Sequence, residues 1–307
     1  MHAAPQPNAS VDDTGVGTPE GQGDPVKPVP RPLLSFLRRP AFATTAPGPL
    51  SARHWLGWVG LLLLVGVLGG VLDRILVLAL HWPALARSVW AQFVSHPSWA
   101  AGVVLLVAPA MEELGFRAFL STAPKLVFTG LSVFPAYLLL FIHNDITPVT
   151  APTSPLAMLS RYLHAFWIIL PAGGINLLLY RYQRDLVVSC FRRRAAWVFW
   201  ISCIVFGAGH NLYYANSPVW WAFVLVMPQF LIGIGLAYVR VNFGLRWSIA
   251  SHYAYDWLVA LPSWLYFTAR PTAPLHGLLP MFISAAALFA IMTYGVVVLR
   301  RVVLLRW

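Results

Sequence analysis

The sequence predicts an all-α protein, a polytopic bundle of about eight transmembrane helices, and three observations carry that reading. The 307 residues are 59% hydrophobic and 10% charged, whereas soluble domains carry about 25% charged residues. Long apolar stretches recur from residue 54 to the C-terminus, several of them exceeding the roughly 20 residues that a helix needs to cross the hydrocarbon layer. These runs are continuous and rich in Leu rather than alternating at period two, which excludes a membrane β-barrel. The net charge of +11 does not indicate nucleic acid, because the Lys and Arg residues gather at the ends of apolar runs, where they anchor and orient spans. Lipid is the expected surrounding partner.

Taken in order, residues 1 to 50 hold ten prolines, few aromatics and no helical period. Such a segment cannot bury enough surface to fold and is expected to be a disordered, Pro-rich cytoplasmic arm. No secretory leader is expected, since neither a basic segment nor a short apolar core precedes Leu33. The Arg38-Arg39 pair reads as a juxtamembrane anchor. Residues 51 to 307 form the bundle, with spans expected near 54–80, 98–120, 126–143, 158–180, 195–215, 218–239, 246–267 and 277–299. Gly66 and Gly70 give the first span a small-xxx-small face for close helix packing.

Basic residues mark every second boundary: Arg38, Arg39 and Arg53; Arg117 and Lys125; Arg192 to Arg194; Arg240 and Arg246; Arg300, Arg301 and Arg306. The alternate loops, such as His143 to Pro155, are nearly free of Lys and Arg, so both termini are expected in the cytoplasm. Cys190 and Cys203 have neither metal-ligand nor redox spacing and read as packing residues.

Ten residues are acidic, and Asp12, Asp13, Glu20 and Asp24 lie in the arm. Asp73, Asp145 and Asp185 fall near span ends or in loops. Glu112, Glu113 and Asp256 lie inside expected spans, where a carboxylate costs at least about 2.5 kcal/mol and therefore faces the bundle interior with a partner. The same sorting leaves three of nine histidines, His164, His210 and His252, with His164 alone near a span end.

In Met111 to Leu120, MEELGFRAFL, Glu113 and Arg117 stand four apart on one helical face and are expected to pair. Glu112 points about 100° away, which leaves it available as a general base. Phe206-Gly-Ala-Gly-His210 sets an aromatic one turn before an imidazole, with small residues that admit a backbone or a substrate. His252-Tyr-Ala-Tyr-Asp256 puts an imidazole and a carboxylate on one face, so that Asp256 can orient His252. A base, a second imidazole and polarising groups together suit acyl transfer to water.

The ordered set E-E-x-x-x-R, F-x-x-x-H and H-x-x-x-N/D on separate membrane helices resembles the CAAX protease and bacteriocin-processing family, the type II CAAX prenyl endopeptidases. The stretch from Phe243 to His252, FGLRWSIASH, adds to the resemblance, which covers roughly residues 98 to 260. It implies an intramembrane endopeptidase in which Glu112 activates water with His210 assisting, His252 and Asp256 stabilise the oxyanion, and Glu113, Arg117 and Phe206 support the site. Asp256 stands where many members have Asn, and a charged carboxylate cannot donate to an oxyanion, so orienting His252 is its expected role. Ala118 replaces a glycine that often follows the motif arginine, and the gap from Arg117 to Phe206 has room for an extra helical hairpin.

One depth mismatch follows from the expected spans. His252 lies about 9 Å into its span from the cytoplasmic start, at 1.5 Å per residue, but His210 sits near the far end of a span that begins at 195. We expect the helix to start after the Arg192 to Trp197 segment, with a bend near Gly207 and Gly209 as the alternative.

No cofactor is implied firmly. Zinc is the alternative, with His210, His252 and Glu112 as ligand types that leave a position open for water, although H-E-x-x-H is missing. G-x-S-x-G is missing too. The expected substrate is a peptide or protein, lipidated or not, and the expected location is a bacterial inner membrane, with the endoplasmic reticulum as the alternative. A non-proteolytic scaffold or immunity-type protein on the same fold is the rival reading. A proton-coupled transporter ranks last, for want of an internal repeat.

Overall fold

A computed structural model describes residues 32–42, 50–79, 99–146, 155–210, 226–269 and 286–297. Every regular element among them is a helix: α1 (Leu33–Arg38), α2 (Ala52–Ala79), α3 (Trp99–Phe116), α4 (Pro124–Ile146), α5 (Pro155–Tyr182), α6 (Arg184–Arg193), α7 (Ala195–Gly209), α8 (Met227–Phe243), α9 (Leu245–Ala269) and α10 (Ala286–Val297). Among the described residues, Ala52–Leu72 is the one stretch long and apolar enough to cross a membrane by length and composition alone; Ala195–Gly209 and Ala286–Val297 are shorter apolar helices.

Many large apolar side chains of the described residues lie on the exterior. Leu78, Trp167, Leu177, Trp197 and Phe289 are each more than 65% exposed, which water would penalise and acyl chains would not. The buried side chains of α2 lie in its first half, from Trp58 to Leu63, and Val67, Leu68, Val71, Leu72, Ile75 and Leu78 of the second half are exposed.

Helix α8 is the centre, buried over most of its length from Ile232 to Phe243. It packs against α2, α7 and α9, while α3 packs against α4 and α9, and α4 against α5. Close approach to α8 depends on its glycines. A Cβ at Gly233 would lie 2.9 Å from Phe206 Cδ1 and 3.3 Å from Arg117 Nη2, and one at Gly235 would lie 2.7 Å from Leu62 Cδ2. The helix stops at Gly244, whose φ of 100° is left-handed and open to glycine at no steric cost. Helix α9 begins at the next residue.

Three expectations are corrected. The arm was expected to stay disordered to residue 50, yet Leu33–Arg38 is helical, and Phe36, Phe42 and Leu50 are core residues. Phe36 meets Phe199 and Tyr238 edge-on, each at 5.3 Å. Arg240 was counted as a loop anchor, but it is 3% exposed because α8 continues to Phe243. Helix α7 begins at Ala195 rather than later; before it runs α6, with Arg192 and Arg193 in its last turn. The room between Arg117 and Phe206 is filled by α4, α5 and α6. The side chains of Asp73, Asp145 and His164 lie outside the described residues.

Candidate active site

The first motif occupies the end of α3, and the end of a helix leaves carbonyls without intrahelical donors. Buried, those carbonyls need partners from elsewhere. Ser202 of α7 donates to Phe116 O at 2.5 Å, and Arg240 of α8 donates from Nε to Arg117 O at 2.9 Å and from Nη2 to Ala118 O at 3.2 Å. A guanidinium also complements the negative pole of the helix. Two neighbouring helices thus fix where Glu112, Glu113 and Arg117 stand. Upstream, Pro109 interrupts α3, and the Tyr253 hydroxyl of α9 donates to the Leu106 carbonyl.

Glu113 and Arg117 are both fully buried and pair at 3.4 Å, Oε1 to Nη1. The guanidinium lies over the Phe206 ring, 3.7 Å from Cζ to centroid, an attractive arrangement for a desolvated cation. Glu113 Oε1 also meets His252 Nδ1 at 3.0 Å, and the Ser248 hydroxyl donates to Oε2.

Glu112 is 5% exposed and takes a different set of partners. The Tyr137 hydroxyl of α4 donates to Oε1 at 2.6 Å, and Oε2 faces His252 Nε2 at 3.6 Å. One imidazole therefore stands between the two motif glutamates, Nδ1 on Glu113 and Nε2 towards Glu112. Asp256 Oδ1 lies 3.8 Å from that same Nε2. Asp256, expected to orient His252, thus stands at Nε2, while Glu113 holds Nδ1.

Phe206 joins the second motif to the others. Its ring is edge-on to His210 at 4.8 Å, to Phe116 at 5.5 Å and to His252 at 5.9 Å. His210 follows α7 as its cap, with Nδ1 2.8 Å from Phe206 O, and it shares with Tyr137, Phe116 and Phe206 a narrow cleft of about 20 Å³. The depth mismatch is resolved across the Phe206 ring: α7 presses against α8 at Gly207, where a Cβ would lie 2.9 Å from Phe230 Cβ, and Phe206 spans from one histidine to the other.

All seven residues singled out in the sequence thus converge. Tyr137, Ser248 and Arg240 were missed as site residues, since each acts across a helix pair; Ser248 lies within the quoted Phe243 to His252 stretch but had no role read for it. Among the described residues, no group of three or more His, Cys, Asp or Glu side chains is arranged to hold a metal ion. Chemically, the arrangement offers a carboxylate with one oxygen held and the other beside an imidazole edge, next to an aromatic cleft.

A helical membrane bundle around a buried carboxylate and imidazole cluster defines the class. A family model described as type II CAAX prenyl endopeptidase Rce1-like matches residues 94–258, more than half of the chain, and the chain belongs to that family. All three motifs lie within the match. No curated protein and no solved structure matches the chain.

Proposed function

We propose that this chain is an intramembrane endopeptidase that hydrolyses a peptide bond with water activated by Glu112. The observation that carries this reading is the division of labour between adjacent glutamates: Glu113 is tied to Arg117, while Glu112 keeps Oε2 directed at the His252 edge. Glu112 Oε2 takes the proton of the attacking water, and His210 assists from the cleft side. With Nδ1 committed to Glu113, His252 presents Nε2 to the reaction, and a proton carried there donates to the developing oxyanion. Asp256 supports that edge. Arg117, Glu113 and Phe206 hold the frame.

The core of this activity lies in about residues 98–260 of the 51–307 bundle. Eight spans, cytoplasmic termini and a bacterial inner membrane fit the alternation of basic and uncharged loops. The family description makes a prenylated CAAX peptide the first substrate to test.

In proteoliposomes, Glu112→Gln and His210→Ala should each abolish cleavage, a loss of at least about 100-fold for the removal of a general base, with the unfolding temperature kept. Comparison of peptide termini in host membranes carrying wild type or Glu112→Gln reads the same activity without prior choice of substrate. Undiminished turnover by folded Glu112→Gln would sink the mechanism.

A further inference from the structure

Tyr137 stands on α4, outside all three motifs, yet its hydroxyl donates to Oε1 of the Glu112 carboxylate at 2.6 Å. Its ring is in turn fixed edge-on against Phe116 at 5.7 Å, and it forms part of the cleft wall together with His210, Phe206 and Leu138. A glutamate carboxylate left to itself turns almost freely about its last torsion. A base that turns presents its lone pair to water for only part of the time. Here one oxygen is held by a phenol whose ring packs edge-on against Phe116. The other oxygen, Oε2, is thereby left facing His252 Nε2 at 3.6 Å.

We infer that Tyr137 is a positioning residue of the hydrolytic site: its phenolic O–H locks the Glu112 carboxylate so that Oε2 meets the attacking water, while its ring serves as a wall of the substrate cleft. The inference rests on Glu112 being the base, as proposed above. The two functions of the side chain separate by atom. The oxygen governs turnover and the ring governs binding.

The test uses the full chain in proteoliposomes with a prenylated CAAX peptide. Tyr137→Phe removes the donor and keeps the ring, so kcat should fall about 10- to 100-fold, the scale of losing alignment of a reacting group, with KM changed less than about twofold. Tyr137→Leu removes the ring as well and should raise KM in addition. A residue that merely packed would lower the unfolding temperature of Tyr137→Phe and leave kcat of the folded fraction unchanged. For a readout independent of that variant's folding, 3-fluorotyrosine placed at 137 preserves the fit and strengthens the donor; the Glu112 carboxylate stretch, isolated as the infrared difference between wild type and Glu112→Gln, should then shift.

Wild-type kcat in folded Tyr137→Phe, or an unmoved carboxylate band with fluorotyrosine, overturns the inference while Glu112 stays the base. Turnover by Glu112→Gln, or no cleavage by wild type, instead removes the reading of Glu112 on which the inference stands. The two failures are distinct.

Discussion

A carboxylate has about four lone-pair positions, and Glu113 fills them from three directions. Arg117 comes from its own helix, His252 and Ser248 from α9. Loss of one partner leaves a buried charge without compensation, which costs about 3–5 kcal/mol. Arg117→Met should therefore lower the unfolding temperature in detergent sharply, and Arg117→Lys should not restore it, because an ammonium cannot lie flat on Phe206 as the guanidinium does. Thermal unfolding of the two variants checks both statements. The Glu113–Arg117 pair was legible in the sequence because it is local, four residues on one helical face. The contacts of Ser248 with Glu113, Arg240 with Arg117 O and Tyr137 with Glu112 were not, since they bridge 135, 123 and 25 residues and exist only once helices are packed.

At the level of elements, small residues decide which helices meet. Gly207 and Gly233 allow α7 and α8 to close on Phe206, and a Cβ at Gly207 would stand 3.0 Å from Phe230 Cα. Gly207→Val should force the pair apart at a cost of about 1–3 kcal/mol. Because Phe206 moves with α7, cleavage should fall by more than the loss of folded protein explains, which activity normalised to the folded fraction would show. On the other side of the bundle, the Asn176 amide of α5 donates to Phe128 O of α4 at 2.7 Å. Asn176→Leu should cost about 0.6–1.7 kcal/mol, the range for polar contacts between membrane helices, with kcat retained.

The ends of these helices were partly legible. The expected span of 54–80 falls on the helix Ala52–Ala79, and that of 246–267 on the helix Leu245–Ala269. The reading failed at Arg240, where an arginine near the end of an apolar run was taken as a loop anchor. It is an internal cap for α3. Composition cannot distinguish a cation that meets headgroups from one that meets the carbonyls of a neighbouring helix. It failed likewise for α6, whose Val187, Val188 and Phe191 pack on the core while Arg192 and Arg193 stay exposed. A ten-residue amphipathic helix is too short to register as a span.

For the whole molecule, the basic loops underlie the proposal that the candidate site faces the cytoplasm. With Cys190 and Cys203 replaced by alanine, a cysteine at Lys125 or Arg193 should react with an impermeant thiol reagent only from the cytoplasmic side. One at Ser154 should react only from the opposite side. Labelling of both classes from one side would overturn the proposed orientation but not the site chemistry. Hydropathy and charge are what this proposed orientation rests on, because the bilayer constrains whole segments rather than single contacts.

The helix Leu33–Arg38 sets a limit on how far the chain can be shortened from its N-terminal side. Phe36 sits between Phe199 at the start of the α7 core and Tyr238 of α8, so a stretch whose composition reads as the end of a tail holds together the two helices that position the second motif and the Arg240 cap. Phe36→Ala, or a start beyond Phe42, should lose about 3–5 kcal/mol by emptying that slot. Proteolysis beyond this helix would then leave a chain that falls apart sooner than the full one.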